Sequence, residues 1–231
     1  MAQSLQGHVD FLDDLAQKAH NELDRPRGPA ASFALLSLSL NLRKIHHLHA
    51  AVAEIAFADG LAVGIRRDVP FLEAALTLND LTVLYAWAAF ECGARQAWEE
   101  ARRHHPDAFP SMVKVNLGSF NNAKLISKVY LDTFGRDPLA RGQQFEERLT
   151  KLHANRNVVV HNAGKIDRMF VKRMGGHERD VGHAVGTYSG DVQEAVATAH
   201  GGAMAIVEVV HAWEASVDPG SVKAHTPYST D

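Results

Sequence analysis

Apolar residues recur at alternating steps of three and four positions in five long segments of this chain. That spacing is the period of one face of an α-helix, whereas a half-buried strand alternates every second residue. The most regular stripes cover residues 5–23, 35–56 and 192–217. Because short connections favour antiparallel neighbours, the pattern predicts an all-α, antiparallel helical bundle with these stripes in its core.

Breaks in the helical period divide the chain into an extension and a bundle. Residues 60–70 are expected to form a connector. The first 70 residues therefore predict an N-terminal helical hairpin that packs on a bundle over residues 71–218. Residues 219–231, which follow the last stripe, are expected to form a flexible tail.

Capping residues suggest where the inner helices begin. A long helix is expected over 71–103, with a restart at Asn79-Asp80, where a cap would fit. A shorter helix is expected over 121–134, and another should start after Asp137-Pro138, with proline at its first position.

Residues 163–188 lose the helical period and contain five glycines. Their apolar runs at 166–171 and 181–188 predict a short hairpin, or an irregular insertion, directly before the last helix.

Composition limits the compartment and the covalent chemistry. Cys92 is the single cysteine among 231 residues, so an intrachain disulfide and a cysteine-based zinc site are excluded. The N-terminus shows no basic region followed by an apolar run, and no apolar stretch approaches the roughly 18 residues that span a bilayer. We therefore expect a soluble cytoplasmic protein without a membrane segment.

Fourteen histidines raise the question of a metal site. His46, His47 and His49 cluster on the second helix, and His104 with His105 end the third. Neither group pairs histidines four residues apart with a carboxylate, as zinc proteases do. His49 lies on the apolar stripe and is interpreted as a core residue. We expect neither a metal nor a cofactor.

Charge is distributed very unevenly. The net charge is −3, yet residues 148–179 contain eight basic and two acidic residues, which leaves 16 basic and 25 acidic residues elsewhere. A local charge of +6 suits a phosphate-bearing ligand. A solvated basic surface without a ligand is the alternative interpretation.

Two charged residues occupy positions where apolar residues are expected. Arg156 continues the stripe of residues 145–159, and Glu91 continues the stripe of residues 84–98 between two tryptophans. An unpaired charge cannot be left against a core, so Glu91 could orient Arg156 through a bidentate ion pair. In the alternative interpretation Glu91 lies at the edge of its stripe and reaches water.

The stretch from Arg156 to Gly164 reads Arg-Asn-Val-Val-Val-His-Asn-Ala-Gly. Asn157 and His161 share one helical face, on which Ala154 is also expected. Arg156 and His161 are about 140° apart around an ideal helix. They can serve one ligand if the helix ends after His161, and the following Asn-Ala-Gly predicts such an end.

This stretch resembles the R-x(4–6)-H signature of HEPN domains, which are small helical bundles. Residues 85–98 and the final amphipathic helix extend the resemblance to about residues 80–215. Many HEPN proteins are metal-independent ribonucleases that act as dimers, with two motif copies facing one cleft, and others are non-catalytic binding modules.

The resemblance implies a role for each motif residue. Arg156 would bind the scissile phosphate, His161 would act as general base or acid, and Asn157 would orient the histidine. Glu91 and Asn162 would support the site. The basic residues expected to bind RNA are Lys151, Lys165 and Arg168.

The sequence leaves three functions open. The first is a metal-independent endoribonuclease that leaves a 2′,3′-cyclic phosphate, acting as a toxin or defence protein with RNA as substrate. The second is a non-catalytic HEPN module that binds a partner protein or a nucleotide, and the third is an unrelated helical protein. A homodimer and an antitoxin protein are the expected protein partners.

Overall fold

The computed structural model describes residues 2–62, 69–110, 113, 115–162, 164–185 and 189–222. Within these residues the chain forms seven α-helices and no strand beyond one isolated bridge, so the predicted all-α fold is confirmed. The helices are α1 (Ala2–Asn21), α2 (Pro29–Ala62), α3 (Val69–His104), α4 (Ala123–Phe134), α5 (Gln143–Asn162), α6 (Arg168–Met174) and α7 (Ser189–Val217).

Helix α7 occupies the centre of the bundle, where it packs against α1, α2, α3, α4 and α5. Its core side chains include Val196, Ile206 and Val210, each at most 1% exposed. Gly202 lets α3 come close, because a Cβ atom there would lie 2.8 Å from Cε2 of Phe90. The N-terminal helices α1 and α2 share one continuous core with the helices that follow.

Two predicted helix boundaries are wrong. No new helix starts at Asn79-Asp80, because α3 runs through these two residues without a break. The residues on either side of them, Leu78 and Thr82, are buried within the bundle. Asp137-Pro138 begins a turn in which Oδ1 of Asp137 accepts from the N–H of Leu139 (2.9 Å). Helix α5 begins only at Gln143, since Gly142 has a positive φ of 99° that an α-helix cannot contain.

The predicted hairpin is wrong for its first strand, where residues 168–174 form α6 instead. Asp167 caps the start of this helix, and Gly175, at φ 68°, ends it. What remains of the hairpin is the antiparallel bridge between Lys165 and Ala184. Residues 186–188 of the second predicted strand lie outside the described residues, as do 63–68 of the predicted connector and 223–231 of the predicted tail.

A fully buried carboxylate caps the N-terminus of α2. Oε1 of Glu214, on α7, accepts from the N–H of Ala30 (2.9 Å), and Oε2 accepts from that of Ala31 (3.1 Å). Nε2 of His105 lies 3.3 Å from Oε1. The first N–H groups of a helix have no partner within it and carry partial positive charge, so they compensate the buried carboxylate. Gly28 leaves the room for this contact, because a Cβ atom there would collide with Glu214.

Helix α7 is also strongly apolar. Its segment Gly190–Val217 alone is long and apolar enough to cross a bilayer by length and composition. Just over half of that window, 56%, is buried inside the molecule. A core helix meets the same criterion, so the finding is weak support for a membrane segment.

Replacing Glu214 with alanine is expected to lower the free energy of unfolding by about 3 kcal/mol, because two buried N–H groups lose their acceptors and a cavity forms. Glu214→Gln keeps one oxygen acceptor and should lose less. Glu208→Ala, an exposed position on the same helix, should change stability by less than about 0.5 kcal/mol. Urea unfolding of the three variants measures the difference, and equal stabilities would show that the carboxylate is dispensable.

Candidate functional site

The motif lies at the C-terminal end of α5, which stops at Asn162 as the sequence predicts. Gly164, at φ 77°, donates its N–H to the carbonyl of Val158 (3.1 Å), and Lys165 donates to the carbonyl of Asn162 (3.0 Å). Bonds of this kind satisfy the last carbonyl groups of a helix. The helix end leaves His161 exposed, whereas Arg156 and Asn157 are half-buried.

Arg156, Asn157 and His161 meet in one cluster. Nη1 of Arg156 donates to Oδ1 of Asn157 (2.9 Å) and lies 3.4 Å from Nε2 of His161. Arginine has no acceptor, so the nitrogen that can accept in this contact is Nε2 of a neutral His161 ring. The flexible arginine side chain thus overcomes the angular separation of the two positions.

The predicted ion pair between Glu91 and Arg156 is wrong. Oε2 of Glu91 accepts instead from Nε1 of Trp87 (2.9 Å), one turn earlier on the same helix. Among the described residues, no carboxylate lies within ion-pair distance of Arg156. Its guanidinium is therefore held by uncharged acceptors alone, which leaves its positive charge available to an anion.

His153 belongs to the cluster, although sequence reasoning missed it. Nδ2 of Asn157 points to Nε2 of His153 (3.2 Å), and the His153 ring packs on Trp87 with centroids 4.7 Å apart. The spacing of His153, Asn157 and His161, four residues at each step, was the available signal. Ala154, which was expected on this face, is buried in the core.

Burial lowers the pKa of His153 below its ordinary value of 6.5, and the positive charges of Arg173 and Arg156 lower it further. A hydrogen bond with the backbone of Asn121 acts in the opposite direction. His153 is therefore neutral at neutral pH, which agrees with Nε2 accepting from Asn157. A continuous contact chain thus runs from the core at Trp87 to the exposed His161.

Asn162, which was predicted to support the site, contacts the start of the next helix. Its Nδ2 donates to Oδ2 of Asp167 (2.7 Å), while Oδ1 of Asp167 accepts from the N–H of Phe170 (2.7 Å) at the start of α6. These two hydrogen bonds, that with Phe170 above all, lower the pKa of the Asp167 carboxyl. Asn162 therefore attaches α6 to the end of α5 beside His161.

The three cations predicted to bind RNA differ in their surroundings. Lys151 is held by Asp191 (2.9 Å) and Glu194 (2.8 Å) on α7, so it joins α5 to α7 and is largely neutralised. Burial lowers its pKa, but the hydrogen bonds to Glu194 and Asp191 outweigh that effect and the pKa is raised. Lys151 is thus a poor candidate for an RNA contact.

Lys165 is exposed beside the motif, and no described carboxylate lies within ion-pair distance of it. Arg168 pairs with Glu178 (2.8 Å), but both side chains are largely exposed and the pair is screened by water. Lys172, Arg173 and Arg179 are exposed on the same part of the surface, again without a described carboxylate at ion-pair distance. The end of α5 therefore lies within a basic surface.

The predicted core histidine is confirmed, since His49 is fully buried and its Nε2 lies 2.7 Å from Oγ1 of Thr82. His104 contacts Glu100, and His105 contacts Glu214. Within the described part of the chain, no three His, Cys, Asp or Glu side chains converge on one point.

Comparisons of the chain with protein-family models, with curated proteins and with solved structures found no match.

In an NMR titration, we expect the midpoint of His153 to lie below 6.5, and Arg173→Gln to raise it by removing a nearby positive charge. Arg179→Gln is the control that should leave the midpoint unchanged. Because the unfolded chain binds a proton that folded His153 resists, the free energy of unfolding should fall as pH drops below about 6.5. His200, whose pKa burial also lowers, adds to the same trend. A normal midpoint for His153 would contradict the described environment.

Proposed function

We propose that the protein is a metal-independent endoribonuclease of HEPN type that leaves a 2′,3′-cyclic phosphate. One observation supports this above the others. A half-buried arginine is held by an amide oxygen and an imidazole nitrogen, without a described carboxylate partner, directly beside an exposed histidine. A phosphate group is the anion whose geometry a guanidinium matches, and RNA supplies its own nucleophile next to each phosphate.

In this proposal Arg156 exchanges one of its uncharged acceptors for a phosphate oxygen. Its 3.4 Å contact with His161 is longer than an ordinary hydrogen bond, so the exchange costs little. Nε2 of His161, once released, accepts the proton of the 2′-hydroxyl. The 2′-oxygen attacks phosphorus, the bond to the 5′-oxygen breaks, and the leaving oxygen takes a proton from solvent.

Asn157 and His153 position these groups. Asn157 fixes the guanidinium through its amide oxygen, while its amide nitrogen is anchored on His153. Because His153 rests on the buried Trp87, the arrangement is tied to the core rather than to a loop. Preorganised groups of this kind stabilise developing charge without reorganising during the reaction.

The alternative is a non-catalytic module that binds a partner through the same end of the bundle. Val160 and Met169 favour protein contact there, because they are 48% and 55% exposed next to the motif. In the ribonuclease proposal these side chains belong to a homodimer interface that brings two motifs together. A toxin of this kind would act on cytoplasmic RNA and be neutralised by an antitoxin protein.

We expect His161→Ala to reduce RNA cleavage about a thousandfold while RNA binding is largely kept, since only the proton acceptor is removed. Arg156→Ala should weaken both cleavage and binding, because a phosphate contact is lost. His20→Ala, an exposed histidine on α1, is the control expected to cleave normally. The assay follows a labelled RNA and identifies the cyclic phosphate, with and without EDTA.

Full activity in His161→Ala, or loss of wild-type activity in EDTA, would contradict the mechanism. Wild-type protein that cleaves no RNA but binds a partner protein would support the alternative module.

We expect light scattering at micromolar concentration to give twice the chain mass of 25.3 kDa. Val160→Asp should shift the protein towards the monomer, because a charge is introduced into an apolar contact. Leu131→Asp, which alters a residue 52% exposed on α4, is the matched control and should stay dimeric. A monomeric wild type would count against the assembly and against a shared catalytic cleft.

A further inference from the structure

The side-chain amide of Asn157 has two ends, and each end contacts a different residue of the site. Its Oδ1 accepts from Nη1 of Arg156 at 2.9 Å, and its Nδ2 lies 3.2 Å from Nε2 of His153. A guanidinium only donates, so the amide oxygen belongs on the side of Arg156. The amide nitrogen, which also only donates, is then directed at His153, and the atom that can accept from it is Nε2 of a neutral ring.

The ring of His153 is held in place from its other side. It packs on Trp87 with centroids 4.7 Å apart, and Trp87 is fully buried. Nε1 of Trp87 in turn donates to Oε2 of Glu91 (2.9 Å). Asn157 lies one turn after His153 on the same helix, so the ring nitrogen and the amide meet at positions that the core and the helix both fix.

A proton on both ring nitrogens of His153 would remove the acceptor that Asn157 uses. Histidinium donates from both nitrogens, so two donors would then face each other across the contact with Nδ2. Turning the amide over would give His153 the oxygen, but it would place Nδ2 of Asn157 against Nη1 of Arg156, which is again a pair of donors. A charged His153 is therefore incompatible with the two hydrogen bonds that the Asn157 amide makes.

Charged groups on the surrounding helices do not supply another partner for the ring. They are Arg156 and Lys151 on α5, Glu91 on α3, Arg173 on α6, and Asp191 with Glu194 on α7. The carboxylate of Glu91 is bonded to Trp87, and the two acids of α7 are bonded to Lys151. Burial first, then the positive charges of Arg173 and Arg156, hold the pKa of His153 below 6.5, against a hydrogen bond with the backbone of Asn121. The neutral ring is thus the form at neutral pH, and the charged form appears only on acidification.

We infer that His153 is a pH switch of the candidate site, which holds Arg156 through the Asn157 amide when neutral and releases it when protonated. The inference names a regulation of the proposed ribonuclease site, and it rests on that function only where cleavage is measured. His153 acts as a positioning residue, because it touches neither the phosphate nor the 2′-hydroxyl in the proposed reaction. Two protonations would then inactivate the site, one at the general base His161 and one at the support of Arg156.

The first test needs no RNA and uses the His161→Ala variant, from which the second histidine of the cluster is removed at an exposed position. NMR follows the side-chain amide signals of Asn157 and the ring signals of His153 as the pH is lowered. We expect both sets to move with one midpoint, which lies below 6.5. In the double variant with His153→Gln, an amide oxygen accepts without titrating, so the Asn157 signals should stay constant. Asn157 signals that do not follow the His153 titration would overturn the inference.

The second test compares RNA cleavage across pH in the presence of an intact His161. As the pH falls to about one unit below the His153 midpoint, wild-type cleavage should drop about tenfold further than cleavage by His153→Gln, because only the wild type has two histidines to protonate. His20→Gln, which alters an exposed histidine on α1, should keep the wild-type profile. His153→Phe keeps a ring on Trp87 without an acceptor, and it should cleave more slowly than His153→Gln at neutral pH. Equal cleavage by these two His153 variants would overturn the role of the acceptor.

The outcome is separable from that of the proposed function. Coupled titration of His153 and Asn157, together with no cleavage of RNA, would uphold the switch as a property of the fold and reject the ribonuclease. Cleavage with the same pH profile in wild type and His153→Gln would uphold the ribonuclease and reject the switch.

Discussion

The buried carboxylate of Glu214 is the contact on which the architecture depends most. It joins α7 to the first residues of α2, 184 positions earlier in the chain. A carboxylate can be buried at this place only because two backbone N–H groups and the partial positive charge of a helix end receive it. The contact therefore fixes the axial position of α2 relative to the central helix, and α3 and α5 pack on the scaffold that results.

The candidate site illustrates how polar groups are tied to an apolar core. From the core outwards, Trp87, His153, Asn157, Arg156 and His161 contact one another in order. Each donor in this chain faces an oxygen or a ring nitrogen that can accept. The result is one permanent positive charge near an ionisable ring, positioned by neighbours that do not compete for an incoming anion.

Hydrophobic periodicity and the positions of glycines were sufficient to predict most of the long helices and some of their ends. The 3–4 spacing identified the long helices but not α6, and Gly164 follows the end of α5 as expected. The end of α5 at Asn162 was also predictable from local rules, whereas the contact between Arg156 and His161 depends on the conformation of the arginine side chain. Local rules work here because a helix end and its last turn involve residues that are neighbours in sequence.

Other features depended on contacts that no local pattern reveals. Glu91 looked like a partner for Arg156 on charge alone, yet the indole of Trp87 lies closer on the same helix. Asp137-Pro138 had the composition of a helix start, but the chain turns there and the helix begins only after Gly142, which has a positive φ. The hydrogen bond between Glu214 and the N–H of Ala30 joins segments near opposite ends of the chain, and no local sequence pattern predicts it.

The two ends of the basic segment between α5 and α7 lie side by side where the segment leaves the bundle. The N–H of Val185 donates to the carbonyl of Gly164 (2.7 Å), and Lys165 and Ala184 form a bridge just beyond. Because its two ends already lie side by side, replacing residues 166–183 by a tight turn adds little loop-closure entropy. The segment can therefore be exchanged as a unit, which would change the charge at this end of the bundle while the core stays the same.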